Sequence, residues 1–186
     1  PQIIYAGTPK GVFKSEDQGE SWSEWFDQAS GLENIFINDL LINPKKTETI
    51  YAATQGGLFV SREGGDLWEP VESDSLKNQN IQIIQFSAAK PNQLIASTED
   101  SFFRSNGDGK QWEKKWTNLP KHISSLLTLN TDPEFIFVGS KKGFYKSFNG
   151  GHNWIKDKNK NLKNIITLAT DSINNTNIFL TSEKGV

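Results

Sequence analysis

The chain has 186 residues, 35% of them hydrophobic and 11% aromatic, and its 20 basic and 22 acidic residues leave a net charge of −2. The two signs are interleaved, so there is no basic footprint for nucleic acid or an anionic membrane surface. Absence of cysteine excludes disulfides, zinc–thiolate sites and thiol nucleophiles, and no apolar run approaches the roughly 18 residues of a membrane span.

In chain order, IIYAGT (3–8) and GVFKS (11–15) are two short apolar runs joined by a turn, and the second runs into SEDQGESW (15–22). That octad returns as SREGGDLW (61–68), SNGDGKQW (105–112) and SFNGGHNW (147–154), its leading serines 46, 44 and 42 residues apart. A period of this size belongs to propellers and solenoids. Before the later octads stand TIYAAT (49–54), QLIAST (93–98) and FIFVGS (135–140), with NIFLTS (177–182) near the end, each closing on small or hydroxylated residues. The runs GLFVS (57–61), SFFRS (101–105) and GFYKS (143–147) follow them. Beyond each tryptophan comes a further run: IFINDLLINP (35–44), IQIIQFSAA (81–89), ISSLLTLN (123–130) and NIITLATDS (164–172).

Runs of 4–8 residues rich in Ile, Val, Phe, Tyr and Thr, separated by Gly, Asn, Asp and Pro, predict four short strands per unit. No window carries helical apolar spacing long enough for a helix. The chain opens on Pro1 inside what the pattern makes the second strand of a unit. It stops at SEKGV (182–186), where an aromatic and a serine are due. An uncovered sheet face needs capping or closure, so further repeats of a longer chain are expected to complete the array.

The octad suits a hairpin leading to the fourth strand. Asp17 is expected to accept backbone amides two residues on, Gly19 to supply a positive φ, Ser15 to offer its hydroxyl, and Trp22 to fold over the turn. Equivalent places hold Ser61, Glu63, Gly65 and Trp68; Ser105, Gly107, Gly109 and Trp112; and Ser147, Asn149, Gly151 and Trp154. Gly107 has no side chain to accept with, so Asn106 or Asp108 must substitute. Drift at the third place fits turn chemistry rather than a reactive carboxylate.

These octads resemble Asp-box, or bacterial neuraminidase, repeats with the pattern S-x-D-x-G-x-x-W, matched in full at 15–22. The IYAGT-type and GVFKS-type runs are also typical of that family, so the resemblance covers essentially the whole chain. It implies an all-β fold: a β-propeller segment over 1–186 of about four to four and a half four-stranded antiparallel blades, with boxes on outer hairpins remote from the ligand face. Among Asp-box groups, IYAGTPKGVFKSEDQGESW looks most like photosystem II stability/assembly-factor-like proteins and the secreted bacterial proteins related to them. Sialidases, xyloglucanase-type hydrolases and sortilin-type receptors are further members. One fold hosts many activities.

A sialidase-like site needs an arginine cluster and a tyrosine nucleophile. Only Arg62 and Arg104 are present, and Tyr5 and Tyr51 exchange with Phe137 and Phe179 as packing residues do. Asp39 is the candidate acid for glycoside hydrolysis, because Ile83 and Ser125 stand in its place in later units and two carboxyls across a cleft are what that chemistry requires. Its alternative is a solvated acid lining a channel. Asn38, Asp39, Gln82, Gln85, Ser124, Ser125 and Thr167 form a polar inner row able to hold a ligand by hydrogen bonds. Trp25 and Trp116, which lack counterparts in every unit, are candidate stacking surfaces or wedges between blades. His122 and His152 lack ligand spacing, so no metal is expected, nor any cofactor. The reading from sequence is a recognition or assembly scaffold binding a protein or glycan, in an extracellular, periplasmic or lumenal setting. A hydrolase fragment or an architectural module are the alternatives.

Overall fold

The computed structural model describes residues 2–23, 28–107, 109–115, 121–171, 177–183 and 185. Sixteen strands and one 3-10 turn, Gln28–Ser30, are formed by these residues. β1 (Ile4–Thr8) and β2 (Gly11–Ser15) make a two-stranded sheet, and β3 (Ile37–Asn43), β4 (Lys46–Thr54), β5 (Gly57–Ser61) and β6 (Glu69–Pro70) a four-stranded one. β7 (Ile83–Phe86), β8 (Leu94–Ser97), β9 (Phe102–Asn106) and β10 (Gln111–Lys115) follow in the same order. So do β11 (Ile123–Thr128), β12 (Ile136–Ser140), β13 (Gly143–Ser147) and β14 (Ile155–Lys156), and the last pair is β15 (Ile165–Thr170) with β16 (Ile178–Ser182). Every pairing whose register is resolved is antiparallel between strands consecutive in sequence.

The chain divides into two compact units, Pro1–Ile84 and Gln85–Val186, with β7 spanning the division. In the first, Val12, Leu32, Ile50, Ala52, Phe59 and Trp68 form a core onto which Tyr5, Ile37 and Leu40 pack. In the second, Leu129, Phe137, Phe144, Ile165 and Leu168 do the same. Removing such side chains from water supplies the stabilisation that short strands cannot generate alone.

After β1, β4 and β12 the turn to the next strand is closed by the hydroxyl that ends the strand. Thr54 Oγ1 donates to the Gly57 carbonyl and accepts the Gly56 amide, and Ser140 Oγ repeats this with Gly143 and Lys142. Thr8 does so with Gly11 and Lys10. Gly57 and Gly143 sit at φ of 141° and 142°, where a Cβ is strained. The sequence shows these hydroxyls, but their part in the turn emerges only from the structure.

The octad turns are closed from beneath by their serine. Ser15 Oγ accepts the Gly19 amide at 2.8 Å, Ser61 Oγ the Gly65 amide at 2.9 Å, and Ser147 Oγ the Gly151 amide at 2.8 Å. All three serines are buried. Asp17 corrects the expectation of a reach of two residues: its Oδ1 accepts the Ser21 amide, four residues on, and its carboxylate also accepts the Ser15 and Ser21 hydroxyls. Asn149 does the same for Asn153. Residue four of the box stands in the left-handed region, at φ of 66° for Gln18, 66° for Gly64 and 65° for Gly150. Its amide reaches the carbonyl of Gln2 or Glu134, each two residues before the strand that follows, or of Glu48, near the start of β4.

The third octad departs from this. Ser105 Oγ accepts the amide of Leu94, in the neighbouring strand, instead of closing a turn. With no acceptor at Gly107, β9 continues to Asn106, opposite Gln111. The outer strand β10 therefore has five residues where β6 and β14 have two.

Two predictions test the turn. Its hydrogen bonds hold the Asp17 carboxyl down at about 2, the Ser21 hydroxyl and amide contributing most. Asp17 thus contributes stability that is full above the unfolded value near 3.9 and is lost as pH falls toward 2. Urea midpoints from pH 5 to pH 2 should fall more steeply for the wild type than for Asp17→Asn, and parallel curves would exclude the ionised carboxylate from the turn. Ser61→Ala strands a buried amide and should lower the unfolding free energy by about 1–3 kcal/mol; a loss under about 0.5 kcal/mol at unchanged m-value would dismiss the hydroxyl's role.

Candidate functional site: the inner polar row

Three of the first strands, β3, β11 and β15, carry a bulge at their start. The register slips between Ile37 and Asp39, between Ile123 and Ser125, and between Ile165 and Thr167. A bulge leaves one residue without a ladder partner and re-aims its neighbours. Asn38 and Ser124 are those extra residues, and Asp39 and Ser125 follow them.

The side chains thus re-aimed meet the next first strand within the same unit. Asn38 Nδ2 donates to the Ile81 carbonyl at 2.7 Å and to Asn80 Oδ1 at 2.8 Å. Asp39 Oδ2 accepts the Ile84 amide at 3.0 Å, while Oδ1 accepts the Leu40 amide at 2.9 Å. In the second unit, Ser124 Oγ donates to the Ile165 carbonyl and Ser125 Oγ accepts the Leu168 amide at 3.0 Å. Ile81 and Ile165 are equivalent residues, as are Ile84 and Leu168. One polar residue thus donates to a carbonyl and the next accepts the amide three residues further on, so Asn38 with Asp39 holds β3 to the segment 81–84, and Ser124 with Ser125 holds β11 to β15.

This geometry gives Asp39 a defined task. Ser125, uncharged, performs it equally. Burial pushes the Asp39 carboxyl above its ordinary value, against the opposing pull of the Ile84 and Leu40 amides. Such a shift in a half-enclosed position is often taken to mark an acid catalyst, yet here both oxygens are already engaged.

Gln82 and Gln85 are half-buried, with Gln85 Nε2 enclosed and without a hydrogen-bond partner. Thr167 is exposed. Trp25 and Trp116 lie outside the described residues. His122 pairs with Glu99 at 3.1 Å, and His152 is exposed in its turn. Among the described residues no group of three or more His, Cys, Asp or Glu gathers as a metal ion would need.

The box tryptophans divide by surroundings. Trp68 is 3% exposed and packs in the cluster that holds Val12 of the preceding sheet. Trp154 meets Phe102 of its preceding sheet edge-on at 6.0 Å. Trp112 and Trp154 each donate Nε1 to the carbonyl of the box glycine, Gly109 or Gly151. Trp22, which the repeat pattern leads one to expect over its turn, is 44% exposed. Its sheet is the first, and no earlier sheet stands among the described residues to receive the ring.

A graded series at one position tests the strap. Asp39→Ser, which copies Ser125, should keep or raise stability at neutral pH, because an acceptor remains without a charge to desolvate. Asp39→Ile, copying Ile83, leaves the Ile84 amide unpaired and should cost about 1–3 kcal/mol. Because the folded value is raised, the wild type should lose stability relative to Asp39→Ser as pH rises through it. Equal urea midpoints for both variants at neutral pH would refute the strap.

No protein-family model and no curated protein matches the chain. Solved structures do resemble it. The extracellular domain of a hybrid two component system, BT3049, from B. thetaiotaomicron has a TM-score of 0.76 at 14% identity, over 99% of this chain and 26% of that one. The GH74 xyloglucanase from Xanthomonas campestris has a TM-score of 0.70 at 13% identity, over 96% and 33%. YCF48 bound to D1 peptide has a TM-score of 0.66 at 16% identity, over 99% and 59%. The chain therefore spans less than two thirds of each. Likeness at this identity carries the fold alone: the chain is an all-β propeller segment with four-stranded antiparallel blades.

Proposed function

We propose that the chain is a non-catalytic propeller scaffold of the Asp-box type, which recognises a protein or glycan partner through its loops and exposed faces. One observation carries the reading. The acid best placed for catalysis, Asp39, has both oxygens bound to backbone amides, and Ser125 does the same work without a charge. Most of the inner polar row is likewise engaged in holding strands, so the surface left for recognition lies in the loops and the seams between sheets. Exposed apolar side chains there, among them Ile3, Trp22, Phe36 and Phe148, supply contact area. The likeness to YCF48, solved with a bound peptide, accords with this. A setting outside the cytoplasm, whether extracellular, periplasmic or lumenal, fits the likeness to extracellular domains.

A second reading has its own support. The likeness to a xyloglucanase and the raised Asp39 carboxyl favour a piece of a glycoside hydrolase, its second carboxyl supplied by further repeats of a longer chain.

Measured together, binding and turnover separate the two. The purified chain should bind at least one member of a defined panel of peptides and β-glucan oligosaccharides, with affinity unchanged in Asp39→Asn, and should release no reducing sugar from xyloglucan above buffer. Release that disappears in Asp39→Asn would overturn the scaffold in favour of the hydrolase. Neither binding nor release would leave an architectural module.

A further inference from the structure

The first unit holds an open groove of about 840 Å³ where β2 and the start of β4 meet the second octad turn, with Ile3 and Ile42 as its apolar wall and Glu48, Arg62 and Glu63 on its rim. The second unit contains the same seam, closed. Its closing residue is Arg104, which sits opposite Ile95 in register as Lys14 sits opposite Tyr5. Arg104 Nε donates to Gln93 Oε1 at 2.7 Å, and Nη2 donates to the Pro133 carbonyl at 3.0 Å and to Glu134 at 3.2 Å. A Cβ built on Gly150 would stand 2.1 Å from Nη1, so the guanidinium lies directly against the octad turn. Buried to 8% exposure, it is held by a side-chain amide, a carbonyl and a carboxylate.

In the first unit the counterparts of Pro133 and Glu134 stand without that cation, and the octad turn is met instead by Tyr5, whose hydroxyl donates to the Gly64 carbonyl at 2.9 Å. Glu48 is the counterpart of Glu134, since each offers its carbonyl to the amide of box residue four, Gly64 or Gly150. Thr47 is the counterpart of Pro133. Ile3 replaces Gln93, leaving an apolar wall. Lys14 replaces Arg104, but its ammonium pairs with Glu16 at 2.8 Å, and Arg62 pairs with Glu69. Among the described residues, Glu48 and Glu63 have no hydrogen bond or ion pair on their carboxylates. With both cations engaged, the groove presents two unpaired carboxylates beside a carbonyl and an apolar wall. That acceptor set complements a guanidinium: planar, forked, weakly hydrated and carried on an apolar stem.

We propose that this groove docks an arginine side chain of a protein partner's peptide segment, seated as Arg104 is seated in the second unit. The inference rests on the scaffold reading above and gives it a partner chemistry. Lysine fits less well, since a point-charge ammonium cannot bond a carboxylate and a carbonyl through a fixed fork.

The test uses the whole chain and two fluorescein-labelled pentapeptides, Gly-Ser-Arg-Ser-Gly and the same peptide with citrulline for arginine, titrated by fluorescence anisotropy and by amide chemical shifts. The arginine peptide should bind at least fivefold more tightly than the citrulline peptide, weaken with added salt, and shift the amides of Thr47, Glu48 and Gly64. Glu48→Gln, at an exposed position, should lower its affinity at least threefold. The double variant Lys14→Arg with Ile3→Gln should close the groove with the chain's own guanidinium, raise the urea midpoint and weaken the peptide similarly. Equal affinity for arginine and citrulline peptides, or shifts confined to residues outside the groove, would overturn the groove assignment. If a panel partner found as described above still binds Glu48→Gln unchanged, the arginine site falls while the scaffold reading stands.

Discussion

A buried amide must find an acceptor, and in this chain a short side chain repeatedly provides it. Beneath three of the four octad turns a serine hydroxyl, sealed from water, accepts the amide four residues on. Leaving such a group unpaired costs more than forming the bond gains. The turn therefore has one arrangement that satisfies it, and the direction of the outer strand follows. Where that arrangement is abandoned, at Ser105, the hydroxyl meets Leu94 instead and the outer strand lengthens.

The same rule operates at the inner strands. Bulges at 37–39 and 123–125 turn two polar side chains per strand toward the following one, and carbonyl and amide groups there are satisfied across sheets instead of along a ladder. Asp39 looks like chemistry in the sequence because it is the one acid in its row. Its neighbours in space make it a strap. Arg104 carries the parallel lesson: a charge inside a seam is tolerable because Gln93, Pro133 and Glu134 surround it. The first unit keeps Thr47 and Glu48 where the second has Pro133 and Glu134, but carries Ile3 for Gln93 and Lys14 for Arg104, and its seam holds an open groove.

Tryptophan in the repeat behaves as a wedge whose fate depends on the preceding sheet. Trp68 has Val12 to pack on and Trp154 has Phe102, while Trp22 has no such floor among the described residues and stands open to solvent. Identical letters in a repeat thus acquire different environments, and only a neighbour's position tells them apart.

The sequence by itself determined the all-β strand content and the antiparallel order of the three four-stranded sheets. Those features arise from interactions between residues near in the chain: alternating apolar runs, glycine at a positive φ, and a hydroxyl within four residues of its amide. The weakness of the third octad was also legible there, in the missing side chain of Gly107. Tertiary structure alone decided that Asp39 accepts an amide 45 residues away, that Arg104 reaches Glu134 across 30, and that Trp22 remains exposed. These outcomes depend on the bulge angles and on which sheet lies beside which, and a periodic sequence carries no local mark of either. A carboxylate's role is set by the donors that reach it, and in a stacked fold those donors come from the next repeat.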